Sequence, residues 1–238
     1  MKLELLNTGK NSGNYNMNFD LNLVHNLKSG QGFFRLYYWE PYCISLGANQ
    51  AQTEINEELC KKDGIEIVKR PTGGRAILHA EEITYSFVIA ITDVFQPRIV
   101  YKLISEALIE SLAKYNSILS ECSLENNQPN FRNLLQTNSG IVCFASTAQN
   151  EVNFRGKKLI GSAQRKIDGK ILQHGSILIG KRHKDLPKYL NISEEEKAKL
   201  FTEMGNKTTE IETILSEKIN YSKLEEALLS TFSEKFNR

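Results

Sequence analysis

Asp168-Gly169 stands between two β-rich runs, Lys158–Ile167 and Ile171–Ile179. An Asp-Gly pair readily adopts the backbone of a two-residue hairpin turn, so the runs are expected to pair antiparallel. Two strands alone bury too little surface to be stable, so the hairpin must join a larger sheet. Lys2–Asn7, Phe33–Trp39, Cys43–Leu46, Ile65–Lys69, Ala76–His79, Ile83–Ile91, Val142–Phe144 and Glu151–Phe154 read as the further strands. Ile83–Ile91 is apolar enough to be central. Glu40-Pro41 breaks Phe33–Trp39 from Cys43–Leu46, because proline cannot sit inside a paired strand.

Helices alternate with these strands. Asn14–Leu27 carries Met17, Leu21 and Val24 on one stripe. Arg98–Tyr115 turns Val100, Leu103, Ile104, Ala107 and Leu108 inward at helical spacing. Gln52–Lys62 reads as a helix stopped by Asp63-Gly64. Ser123–Gly140 reads as a polar loop long enough to suggest a function. Beyond Gly180 the chain turns to charged helices near Glu194–Phe201, Glu210–Glu217 and Lys223–Phe236.

The 238 residues suffice for one large domain or two small ones. A net charge of +2 is no footprint for nonspecific DNA binding, which needs clustered positive charge. No apolar run reaches the length of a spanning helix. Met1–Asn7 holds an acid and no apolar core, so no signal peptide is read there. The cysteines Cys43, Cys60, Cys122 and Cys143 lack metal-finger spacing, and reduced thiols in a cytoplasm are expected.

Four places carry chemistry. Arg70-Pro71-Thr72-Gly73-Gly74-Arg75 links two strands. Its paired glycines let backbone N–H groups approach a carbonyl or anion, with Arg70 and Arg75 flanking. The same residues also suit a plain turn with solvated arginines. In Lys158-Leu159-Ile160-Gly161-Ser162-Ala163, the small residues Gly161 and Ala163 share one face and leave space above the sheet. Strict alternation puts Lys158 on the other face unless the strand bends. Cys143 stands where the polar loop rejoins a strand. As a nucleophile it needs a cation or nest to lower a thiol pKa near ~8.5, and Lys158 or His79 would serve. A small buried hydrophobe is the plain alternative, and it is kept for the other three cysteines. His174, beside Gly175, either lines the same cleft or is simply packed.

Together these segments resemble the lipoate–protein ligase and octanoyltransferase family, within the biotin/lipoate ligase superfamily. The order is Arg70-Pro-Thr-Gly-Gly-Arg-Ala-Ile-Leu-His79, Cys143-Phe144, Lys158-Leu-Ile-Gly-Ser-Ala-Gln164, then Gln173-His-Gly-Ser-Ile-Leu178. Asn14–Asp20 and Arg35–Gly47 add to the likeness, which spans roughly residues 1–180. The pattern is most similar to the LipM-type octanoyltransferases. ATP-using ligases of the family typically carry glycine where this chain has Arg75 and aspartate where it has Ala80. They lack a cysteine matching Cys143, and many have a larger C-terminal domain. All four departures favour a thioester enzyme. Ala80 and Ala145 also depart from the acids usual in the LipM type.

The resemblance implies an α/β (α+β) fold with a curved mixed sheet and flanking helices. A catalytic domain over 1–182 would carry a helical extension over 183–238. It implies a cytoplasmic acyltransferase that uses no cofactor and no metal. Octanoyl would pass from acyl carrier protein to Cys143, then to the lysine of a lipoyl-domain protein (glycine-cleavage H protein or E2). Lys158 would stabilise thiolate and oxyanion. Arg70, Gly73, Gly74, Arg75, His79, Gly161, Ser162, Ala163 and His174 would bind the acyl substrate. Lys157, Arg165, Lys166 and Lys170 would meet acidic carriers, or form a solvated hairpin edge. Neither nucleic acid nor membrane is an expected partner. The alternatives are an ATP-dependent lipoate ligase, an octanoyl amidotransferase between lipoyl-domain proteins, and a noncatalytic acyl-binding protein.

Overall fold

The computed structural model describes residues 1–125 and 150–237. The expected strand Val142–Phe144, Cys143, Ala145 and most of the expected loop Ser123–Gly140 lie outside the described residues.

Ten strands form two sheets among the described residues. The larger sheet holds β1 (Lys2–Asn11), β2 (Gln31–Trp39), β6 (Glu82–Ala90), β10 (Lys170–Leu178), β9 (Lys157–Ile167), β8 (Val152–Phe154) and β7 (Cys122–Leu124), in that spatial order. β1 and β2 run parallel and every other neighbour is antiparallel. The smaller sheet has β3 (Cys43–Leu46) between β4 (Glu66–Lys69), parallel to it, and β5 (Ile77–His79), antiparallel. Asp168 and Gly169 both have positive φ, 47° and 73°, as the predicted hairpin turn requires.

β6 is interior, as its apolar content predicts, but its two faces differ. Ile83, Tyr85, Phe87 and Ile89 face the main core with α3 (Pro97–Tyr115) and the final helix, Tyr221–Phe236. Phe34 stacks on Phe232 there, with centroids 3.7 Å apart. Glu82, Thr84 and Ser86 alternate onto the opposite face, beneath α1 (Gly13–Asn26) and the smaller sheet. Ser12 caps α1 by accepting from the Tyr15 N–H. The functional groups collect in the cleft between the sheets.

Two expectations need correction. Gln52–Lys62 is not one helix: a 3-10 turn covers Gln52–Glu54, and α2 covers Glu57–Lys62. Ile55 is drawn into a bridge with Leu190, and Asn56 then caps α2 by accepting from the Leu59 N–H. Ser123 and Leu124 belong to β7, paired with β8, rather than to a loop. Lys181–Tyr189, for which the sequence set no expectation, forms 3-10 turns that contact β5. Helices α4 (Glu194–Lys207), α5 (Ile211–Leu215) and α6 (Tyr221–Phe236) follow. A capping box of Ser193 and Glu196 starts α4. Among the described residues, no helix is long and apolar enough to cross a membrane.

Candidate active site

The glycine loop is held from below. Arg70 is 3% exposed, and its guanidinium donates to the carbonyls of Ser45 (2.9 Å), Gly73 (2.9 Å) and Arg75 (2.7 Å). A planar fork of donors suits this stapling task. Arg70 therefore shapes the loop, while Arg75 is partly exposed and lies 3.9 Å from Glu54. Ala48 donates to the Thr72 carbonyl at 2.9 Å. Gly74 has φ +93°, and a side chain built on Gly47 would meet the Gly74 carbonyl oxygen at 2.0 Å. Nothing stands within 4 Å of the place a Gly73 side chain would take, so that face of the loop is open.

The floor of the cleft comes from β9, β10 and β6. Ala163 pairs with His174, and Gly161 with Ser176, so small residues flank the histidine as the alternation predicts. The Ser162 side chain points the other way, into the helix-covered face, where its hydroxyl lies 2.7 Å from Tyr85 Oη. The Ser162 backbone lines the cleft, but its side chain does not reach into it.

Two buried polar networks support this floor. His79 Nε2 lies 2.7 Å from Ser45 Oγ, and His79 Nδ1 lies 2.8 Å from Glu82 Oε1. The His79 ring stacks on Trp39 at 4.0 Å, and Trp39 Nε1 donates to Thr84 Oγ1 at 2.7 Å. His174 Nε2 lies 2.6 Å from Thr72 Oγ1, tying floor to glycine loop, and Nδ1 lies 3.5 Å from Asp20. Burial lowers the His174 pKa below the usual histidine value even though Asp20 opposes it. Asp20 is fully buried and ion-paired to the fully buried Arg35 at 2.8 Å. Burial pushes the Asp20 carboxyl up, but His174, Arg35 and Ser86 outweigh it and hold the pKa below the usual value.

Lys158 is not where strict alternation puts it. Val152 pairs with Ile160 but Asn153 pairs with Lys158, so Leu159 is an extra residue in β9. One inserted residue reverses the alternation and brings Lys158 to the face of Gly161 and Ala163. Lys158 is 1% exposed and its Nζ lies 2.8 Å from Glu151 Oε2.

The cavity above the floor is walled by Met17, Tyr37, Trp39, Ile77 and His79, and its volume is about 20 Å³. That is room for about one water. Anything longer would fit only if wall side chains changed rotamer, and Met17, unbranched, has the most freedom to do so. Among the described residues no group of three His, Cys, Asp or Glu can hold a metal ion. Cys43, Cys60 and Cys122 are buried thiols whose pKa values burial pushes up, Cys60 to about 11. Such thiols are poor nucleophiles. On the basic hairpin, Arg165 donates to the Pro71 carbonyl at 2.5 Å. Lys170 donates to the Val24 carbonyl at 2.6 Å, near the end of α1, while Lys157 and Lys166 are exposed.

The family model of the lipoyl protein ligase A/B catalytic domain matches residues 12–233. This chain belongs to that family. It is 34% identical to an octanoyltransferase LipM of Kyrpidia tusciae over 97% of its own length and 85% of that protein's. It is 33% identical to an octanoyltransferase LipM of Staphylococcus aureus, over 98% of its own length and 86% of the other. Among solved structures, the bipartite lipoate protein ligase of Thermoplasma acidophilum superposes with a TM-score of 0.77 at 20% identity, covering 100% of this chain and 84% of that one. A lipoate-protein ligase A bound with ATP gives 0.73 at 20% identity, covering 100% and 86%. At that identity the structural likeness establishes the shared mixed α/β fold.

The cleft unites Arg70, His79, Gly161, Ala163 and His174, and Arg70 ties Gly73 to it from the glycine loop. Sequence reading missed Glu151, Glu82 and the Asp20–Arg35 pair. Asp20 and Arg35 sit in the two N-terminal segments that carried the resemblance, but nothing in their spacing shows that they meet.

Proposed function

We propose that this chain is an octanoyltransferase of lipoate assembly. The observation that carries the reading is near-full-length similarity to proteins named octanoyltransferase LipM. The cleft suits the chemistry. Once the wall side chains move, its small-residue floor and apolar walls suit an alkyl chain, worth about 0.8 kcal/mol per buried CH₂, and Lys158 brings a cation to the same face.

In the proposed reaction, the Cys143 thiolate attacks the carbonyl carbon of an octanoyl carrier-protein thioester. The new C–S bond forms, the carrier C–S bond breaks, and the carrier sulfur leaves with a proton. The neutral amine of a lipoyl-domain lysine then attacks the acyl-enzyme. A C–N bond forms, the amine gives up a proton, and Cys143 departs as thiolate. Lys158 stabilises the developing negative charge in both steps. Thioester to amide is downhill, so no ATP is consumed.

Intact mass spectrometry tests this. Wild type mixed with octanoyl carrier protein gains one octanoyl group, which moves to an added apo lipoyl domain without ATP. Cys143→Ala gains none. An adduct retained on Cys143→Ala, or transfer that requires ATP, overturns the reading.

A further inference from the structure

The bulge at Leu159 decides which face Lys158 occupies, but a lysine side chain has enough freedom to swing its ammonium several ångströms. Something must hold the charge in place. Glu151, immediately before β8, does so with both oxygens. Its Oε2 lies 2.8 Å from Lys158 Nζ, on the near side of the bulge. Its Oε1 accepts from the Ser162 N–H at 3.3 Å, on the far side. One carboxylate thus spans the irregular stretch that contains Leu159 and Gly161. The Lys158 carbonyl in turn accepts from the Thr209 N–H at 3.0 Å, which fixes its backbone from the neighbouring segment.

We propose that Glu151 is a positioning residue for acyl transfer, holding the Lys158 ammonium on the cavity face by bridging the two ends of the β9 bulge. This rests on the reading of Lys158 given above. The side chains are 1% and 3% exposed, so water screens the contact little. A carboxylate that grips one N–H of an ammonium fixes the direction of the other two. A merely structural ion pair behaves differently, because apolar residues of similar size replace it with little loss. A positioning pair loses turnover when either member goes, and the second loss adds nothing.

The test is a double-mutant cycle in the full chain, read as kcat and KM for transfer from octanoyl carrier protein. Circular dichroism and thermal unfolding check the fold of every variant. Glu151→Gln keeps the size and an acceptor for Ser162 but removes the charge. Its kcat falls about 10- to 100-fold, as expected for a displaced catalytic group, with KM within about twofold. In a Lys158→Met background, Glu151→Gln changes kcat by less than about twofold. Wild-type kcat in Glu151→Gln, or two losses that multiply, overturns the proposal. If Lys158→Met is itself fully active, the reading of Lys158 falls, and the positioning role falls with it. If Lys158→Met is inactive and Glu151→Gln fully active, only the positioning role falls. Should Glu151→Gln fail to fold, Glu151→Gln/Lys158→Met removes both charges and is expected to refold. Failure of the double variant to refold would also overturn the proposal.

Discussion

The carbonyl oxygen of Gly74 lies 2.0 Å from the point where a side chain on Gly47 would begin. The glycine loop therefore rests directly on the backbone at Gly47. Gly47→Ala must lift the loop while leaving both sheets intact. An ångström of misplacement costs about 100-fold in rate, so kcat/KM for octanoyl transfer should fall by that order. Steady-state kinetics beside a melting curve checks this, and unchanged kinetics would show that the loop position is unimportant.

Ala163 and His174 are paired neighbours on the floor of the cleft. Ala163→Leu places a branched side chain in the cavity that the proposed reading gives to the acyl chain. Several kcal/mol of acyl binding are lost, equivalent to about 100-fold or more in affinity. Acyl-enzyme formation should collapse while the melting temperature stays near that of wild type. Intact mass spectrometry over a range of donor concentrations measures it.

His183 is fully buried, with Nε2 3.0 Å from Thr208 Oγ1 and Nδ1 3.2 Å from the Gly180 carbonyl oxygen. Burial pushes its pKa down to about 4, although Glu210 opposes the shift. An unfolded histidine titrates near ~6.5. Between those values the unfolded chain binds a proton that the native protein does not. Stability is therefore full above pH ~6.5 and falls as pH drops toward 4, by at most about 3 kcal/mol from this group. The lowered pKa of His174 works in the same direction. Unfolding midpoints measured across pH 7 to 4 should fall, and His183→Gln should flatten part of that slope.

Phe232 packs in the main core, stacked on Phe34 and near Phe87 and Phe236. Phe232→Ala should cost about 3–5 kcal/mol of stability. For a domain of this size that is roughly 6–20 °C in melting temperature. Transfer per folded molecule should be unchanged at low temperature, because the ring lies on the face of the sheet away from the cleft. Calorimetry and kinetics on the same sample separate the two effects.

Much of this molecule was legible in the chain. The Asp168-Gly169 turn, the apolar stripes of α1 and α3, and the small residues at Gly161 and Ala163 each act locally, so their spacing shows them. The face that Lys158 occupies stayed open in the sequence because a bulge depends on the register of a neighbouring strand, which no single run of residues encodes. Nothing in the local sequence pairs Asp20 with Arg35, yet both are fully buried because distant elements close over the pair. Arg70 read as a ligand group, but three backbone carbonyls claim its donors. Lys181–Tyr189 buries His183, Leu186 and Tyr189 at every third residue, the period of 3-10 turns and not the 3.6 of an α-helical stripe.

The alternation along β6 has a practical consequence. Odd-numbered positions from Ile83 to Ile89 face the helices, and Glu82, Thr84 and Ser86 face the cleft. Apolar packing against the helices and the polar lining of the cleft thus lie on opposite sides of one ribbon. Substitutions at Thr84 therefore alter the cleft side without touching the apolar contacts that Ile83, Tyr85, Phe87 and Ile89 make with the helices.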